Sequence, residues 1–187
     1  MFRKLKKDIG MEALERVQRN SRRLRLVFAV LLALSPILTA LFWALVGSGN
    51  QVLSRDLPVA VDPDIPLASL VTGFLVSLIP TGVVMYALYQ LYKLFGLYCG
   101  GKVFAKENVA CYRSLGWAII YYALADFMGD ILLGIVLTFH RGQGKRLLVV
   151  GLSSTEVFVL LAGICVLTIA WVMDEARKLK EEQELFV

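Results

Sequence analysis

Apolar and polar positions divide the chain into four long hydrophobic runs separated by polar connections. The runs are Leu26 to Val46, Leu67 to Leu94, Tyr112 to Phe139 and Val157 to Met173. Each meets the requirement of about 17 to 25 residues for a helix that crosses a hydrocarbon core, the last at the short end. Backbone in lipid must satisfy its own hydrogen bonds, so the pattern predicts four transmembrane helices whose connections emerge into water or headgroups. The expected fold is all-α, a four-span transmembrane helix bundle forming one membrane domain over residues 1–187. The connections are too short to hold a separate soluble domain.

The flanking segments have patterns of their own. Phe2, Leu5, Ile9, Ala13 and Val17 recur every three or four residues with basic residues between them. That spacing predicts an N-terminal amphipathic helix over residues 1–20, lying in the membrane interface. Asn20 and Ser21 are expected to end it, with Ser21 capping the first span. The other end, "DEARKLKEEQELFV" over residues 174–187, contains no breaker and alternates in charge, as a solvated helical extension does. It closes on Leu185, Phe186 and Val187, apolar residues that gain nothing in water, so docking of this end is expected.

Local chemistry adds detail. Pro36 and Pro80 interrupt the amide donors of the first two spans, and Ser35, Thr39, Ser77 and Thr81 stand nearby to bond freed carbonyls. The loop before the second span is rich in Gly, Pro and Asp, and Asp62 and Asp64 are read there as turn residues. Ser153 and Glu156, three apart just before the last run, match a capping box. Leu147 to Leu152 are expected along the membrane surface ahead of it.

Charge sets the orientation. Arg3, Lys4, Lys6, Lys7, Arg16, Arg19, Arg22, Arg23 and Arg25 precede the first span, whereas the loop after it carries only Arg55. The positive-inside rule places both termini in the cytoplasm, although Arg141, Lys145 and Arg146 dissent in the last outer connection. Hydrophobic residues make up 58% of the sequence and the net charge is +5, most of the excess flanking the first span. This charge suits contact with the anionic surface of a lipid bilayer and argues against direct nucleic-acid binding. With three cysteines and a single histidine, His140, no metal-ligand cluster is visible. Neither a cofactor nor an enzymatic constellation of nucleophile and base is expected.

The principal candidate for chemistry is a pair of acids, Asp126 and Asp130, one helical turn apart in the third span. Asp126 lies about 20 Å of helix from Arg113 and about 21 Å from His140, so it falls near the middle of the span. A charge at that depth costs about 2.5 to 3.5 kcal/mol on insertion scales, so both side chains should face protein rather than lipid. No Lys or Arg lies at comparable depth. The pair fits a polar clamp bonded to Thr39, Thr72, Ser77, Thr81, Tyr86 or Thr168. It also fits a proton or ion path in an oligomeric channel or proton-linked transporter, or a sensing element. The tyrosines Tyr86, Tyr89, Tyr92 and Tyr98, with Trp117, Tyr121 and Tyr122, read as interface anchors and helix packing.

Two segments carry a resemblance. In "GGKVFAKENVACYRSLGW" the residues Gly101, Val103, Phe104, Glu107, Asn108, Arg113 and Gly116, and in the tail Glu181, Glu182, Leu185 and Val187, follow one pattern. It is similar to that of the bacterial membrane family catalogued as domain of unknown function 2975. Ala105 departs from it, standing where the family commonly has Ser or Thr to cap the third helix. The resemblance implies a small bacterial inner-membrane protein, with no assigned enzymatic activity, in a family often encoded beside a small helix-turn-helix regulator. The resulting expectation is a non-enzymatic regulatory or partner-binding subunit acting through the cytoplasmic loop 100–117 and tail 174–187. Its partner would be such a regulator, another membrane subunit or a second copy of the chain. Within the subunit, Leu185 and Val187 would rest against Phe104.

Overall fold

The computed structural model describes residues 2–50, 53–59, 65–102, 105–139, 151 and 154–185. Four α-helices account for nearly all of them: α1 (Phe2–Gly47), α2 (Leu67–Cys99), α3 (Lys106–Thr138) and α4 (Ser154–Leu185). A short 3-10 turn, Leu53–Asp56, follows α1. No strand occurs among the described residues. All four helices are long and apolar enough to cross a membrane, so the chain is an all-α, four-span membrane protein. Pro36 and Pro80 remain inside α1 and α2.

Each helix is longer than its apolar run, and α1 shows why. The break expected at Asn20 and Ser21 is absent, and α1 runs unbroken for 46 residues. Neither residue is a breaker: Asn or Ser in a helix interior costs at most about 0.7 kcal/mol, less than the hydrogen bonds an interruption would forfeit. Ser21 therefore does not cap a new helix. It lies within α1, buried to 3% exposure.

Glycine ends two of the helices. After α1, Gly49 adopts φ of 84°, with Gly49 N–H donating to Val46 O and Asn50 N–H to Leu45 O. After α2, Gly101 adopts φ of 73°, with Gly101 N–H donating to Tyr98 O and Lys102 N–H to Leu97 O. Both are Schellman motifs, which satisfy the last carbonyls of a helix through a left-handed residue that glycine adopts without a Cβ penalty.

The chain gathers into two compact units. One comprises residues 1–32, 87–117 and 162–187; the other comprises 33–86 and 118–161. In the first unit α1 and α2 meet through stacked Phe28 and Phe95 rings, 5.4 Å apart, and Phe95 packs edge-on to Tyr98. The Tyr98 hydroxyl then bonds that of Tyr112 on α3 at 2.9 Å. Arg25 donates to the Tyr92 hydroxyl at 2.8 Å with its guanidinium 4.5 Å from the ring centre. In the second unit Trp43, Leu133 and Leu137 form the core, with Phe42, Leu57, Leu70 and Phe74 against it. Gly73 makes room for the Trp43 ring, which a Cβ there would strike. The outer face of α1 is apolar and uncovered at Leu26, Val30, Ile37 and Leu41, as a lipid-facing surface requires.

Several predicted features fall outside the described residues: Asp62, Asp64, Val103, Phe104, His140, Ser153, Phe186 and Val187, with most of Leu147 to Leu152.

Candidate functional site

Asp126 and Asp130 sit on α3 in the second unit, both half-buried. Tyr122, one turn back on the same helix, lies within interaction range of the Asp126 carboxylate. Asp130 is within electrostatic reach of Asp126. Among the described residues no Lys or Arg pairs with either acid.

A third acid joins them. Glu156, in the first turn of α4, is buried to 6% exposure and interacts electrostatically with both Asp126 and Asp130. Its neighbourhood follows from where α4 begins. Ser154 opens the helix two residues before Glu156, whereas α3 continues from Asp126 to Thr138, about 18 Å further. Within this unit the start of α4 thus lies beside the middle of α3. Its free amides and positive dipole end favour carboxylates there. Sequence pattern placed an acid at a helix start but not the level of that start, which depends on how the preceding connection returns.

Asp126 lines an open cavity of about 510 Å³. Its polar lining comprises Ser35, Thr39, Ser77, Thr81, Tyr122 and Asp126, and its apolar lining includes Phe42, Trp43 and Pro80. The hydroxyls form a linked set. Thr39 Oγ1 lies 3.1 Å from Ser35 O, Thr81 Oγ1 lies 2.7 Å from Ser77 O, and the two hydroxyl oxygens are 3.0 Å apart. The two threonines carry two hydroxyl protons between them, so only two of these three contacts are hydrogen bonds at any one time. Trp43 Nε1 donates to Ser77 Oγ at 3.1 Å.

Of the side chains proposed to hold the aspartates, Thr39, Ser77 and Thr81 share the cavity with Asp126. Thr72 and Thr168 instead donate to the carbonyls of Ala68 and Ile164 on their own helices, and Tyr86 is exposed. Tyr122, on the same span as Asp126, also lines this cavity. Chemically the lining offers acceptors and exchangeable protons, suited to a proton, a hydrated cation or a small polar molecule. Among the described residues no group of three or more His, Cys, Asp or Glu is arranged to hold a metal ion.

The second candidate region is the connection between α2 and α3, in the first unit, where three of the pattern residues hold the backbone in place. Gly101 supplies the left-handed turn. Asn108, fully buried, donates from Nδ2 to Lys102 O at 2.7 Å, while its own N–H bonds Ala105 O at 3.0 Å. Asn108 thereby ties the start of α3 to the end of α2, although Ala105 offers no capping side chain. Gly116 lets α4 approach: a Cβ there would lie 2.7 Å from Leu167 Cγ and 3.1 Å from its amide nitrogen. Glu107 and Arg113 are exposed. In the tail, Glu181 accepts from Arg177 at 2.6 Å, Glu182 is exposed, and Leu185 ends α4.

Four membrane-capable helices, one of which contributes Asp126 to an open, hydroxyl-lined cavity, define a multi-pass membrane protein. The chain belongs to the family described as protein of unknown function DUF2975, whose pattern matches residues 63–187. The match begins ahead of α2, so α1 lies outside it. No curated protein and no solved structure matches the chain.

Proposed function

We propose that this protein is a non-enzymatic regulatory or partner-binding subunit of the bacterial inner membrane, acting through loop 100–117 and tail 174–187 on the cytoplasmic side. One observation carries the reading: Gly101, Asn108 and Gly116 are each tied to backbone or close packing at the two helix ends, and α4 projects beyond its apolar run. Asn108, Gly101 and Gly116 serve the backbone, leaving Lys102, Lys106, Glu107 and Arg113 exposed on a fixed frame. From Asp174 to Leu185 the helix continues for about 17 Å. It is stiffened by pairs of Arg177 with Asp174 and Glu181, and of Lys178 with Asp174 and Glu175. Leu179 stays 55% exposed among these charges, an apolar point for a partner to cover. A cytoplasmic helix-turn-helix regulator or a second membrane subunit fits such a surface.

Cross-linking capture from native membranes tests the proposal, comparing the full chain with one ending at Lys180. A helix-turn-helix protein or membrane subunit recovered with the full chain and lost on truncation is the supporting result. Recovery of the same partner with both chains overturns the role of the tail.

The cavity at Asp126 favours a second reading, a proton-linked transporter or channel that works as an oligomer. Proton flux into liposomes, measured for the parent chain and for Asp126→Asn with Asp130→Asn, separates the two. Flux abolished in the double variant with unchanged helix content supports transport; absence of flux in the parent chain rejects it.

A further inference from the structure

At the end of the first unit where the basic residues of α1 meet the end of α2, a cavity of about 300 Å³ is lined by Gln18, Arg19, Arg22 and Cys99. Two interactions fix its walls. Arg25, one turn further along α1, is held by Tyr92 and lies along Gly96. Cys99 Sγ lies 3.9 Å from the Gln18 carbonyl. Arg19 and Arg22 are exposed into this space, and among the described residues no carboxylate pairs with either. Like charges three residues apart on a helix repel, and an anion between them removes the repulsion. Guanidinium forks match phosphate oxygens, and the Gln18 amide adds a further donor.

Depth favours a lipid as the source of that phosphate. From Arg25 to Gly47, α1 spans about 33 Å, close to the roughly 30 Å of a hydrocarbon core. Arg22 and Arg19 then lie about 4.5 and 9 Å beyond its edge, in the headgroup layer. Position in the helix adds a second argument. Arg19, Arg22, Leu26 and Val30 follow one another at steps of three and four, forming a single stripe that changes from charged to apolar. Leu26 and Val30 are 65% and 54% exposed, open to an acyl chain.

We propose that the Gln18–Arg19–Arg22–Cys99 cavity binds the phosphate diester of an anionic phospholipid, whose acyl chain lies along Leu26 and Val30. Cys99 supplies the readout. The full chain in neutral detergent is titrated with phosphatidylglycerol, phosphatidylcholine or inorganic phosphate, and maleimide labelling of Cys99 is followed by peptide mass spectrometry. Phosphatidylglycerol at about ten times its dissociation constant should slow labelling about tenfold, with little effect of phosphatidylcholine. Arg22→Gln should move the midpoint about fivefold to higher lipid, whereas Arg23→Gln, an equal change of charge at a residue that does not line the cavity, should leave it in place. Arg19→Gln reads the same site should Arg22→Gln lose helix content. Equal shifts for Arg22→Gln and Arg23→Gln would reduce the effect to diffuse attraction and overturn the proposal. Protection by phosphatidylcholine, or by inorganic phosphate at matched concentration, would overturn the assignment to an anionic lipid.

Discussion

The α2–α3 connection and the Asp126 cavity both place polar groups within an apolar protein, but they use them differently. In the connection, Asn108 is fully buried and bonded to the Lys102 carbonyl, Gly101 supplies the left-handed turn, and Gly116 leaves no room for a side chain. In the cavity, hydroxyls and a carboxylate border an opening of about 510 Å³. Polar residues that complete a backbone stabilise one conformation, whereas those lining open space remain available to a ligand or proton. The residues of the family pattern that the structure describes in the connection divide into buried builders and exposed Glu107 and Arg113, so a pattern residue is not for that reason a site residue.

The largest test of this contrast is a pair of glycine substitutions. Gly116→Ala should cost about 1 to 3 kcal/mol, because its Cβ meets Leu167 backbone as well as side chain. Gly82→Ala, on α2 in the other unit with nothing within 4 Å, should be neutral or stabilising by up to about 1 kcal/mol. Reversible unfolding in mixed micelles reads both, and like signs would erase the contrast. Next in size, Asn108→Ala should cost about 0.5 to 1.5 kcal/mol by removing the bond to the Lys102 carbonyl. Hydrogen exchange at residues 105–110 should rise with it; unchanged exchange would mean that the connection is held by other groups. The smallest effect is expected between Thr39 and Thr81. A double-mutant cycle to Ala and Val should return a coupling of about 0.6 kcal/mol, the average for hydroxyl bonds between membrane helices. A coupling several times larger would make the cavity wall a clamp after all.

Much of this architecture was legible in the sequence. Hydrophobic run length fixed the number of helices, because lipid allows an isolated span few alternatives. Helix ends were less legible. Asn20 and Ser21 looked like a boundary by composition, yet their weak intrinsic preference is overridden by continuity of the backbone bonds. The site was half legible. Asp126 and Asp130 stand out as acids in an apolar run, but local spacing marks Glu156 only as a capping residue. Its burial beside them depends on the pairing of α3 with α4, a long-range relation that no local spacing encodes. Gly116 was visible as a pattern residue, but its purpose required Leu167.

Mechanically, the uninterrupted α1 is a lever. About 35 Å of helix lies between Arg25 and Phe2. Pivoting that arm by about 10° at Arg25, where the guanidinium is anchored on Tyr92, would carry its far end through about 6 Å. A small angular change thus becomes a displacement as wide as a helical turn at the tip.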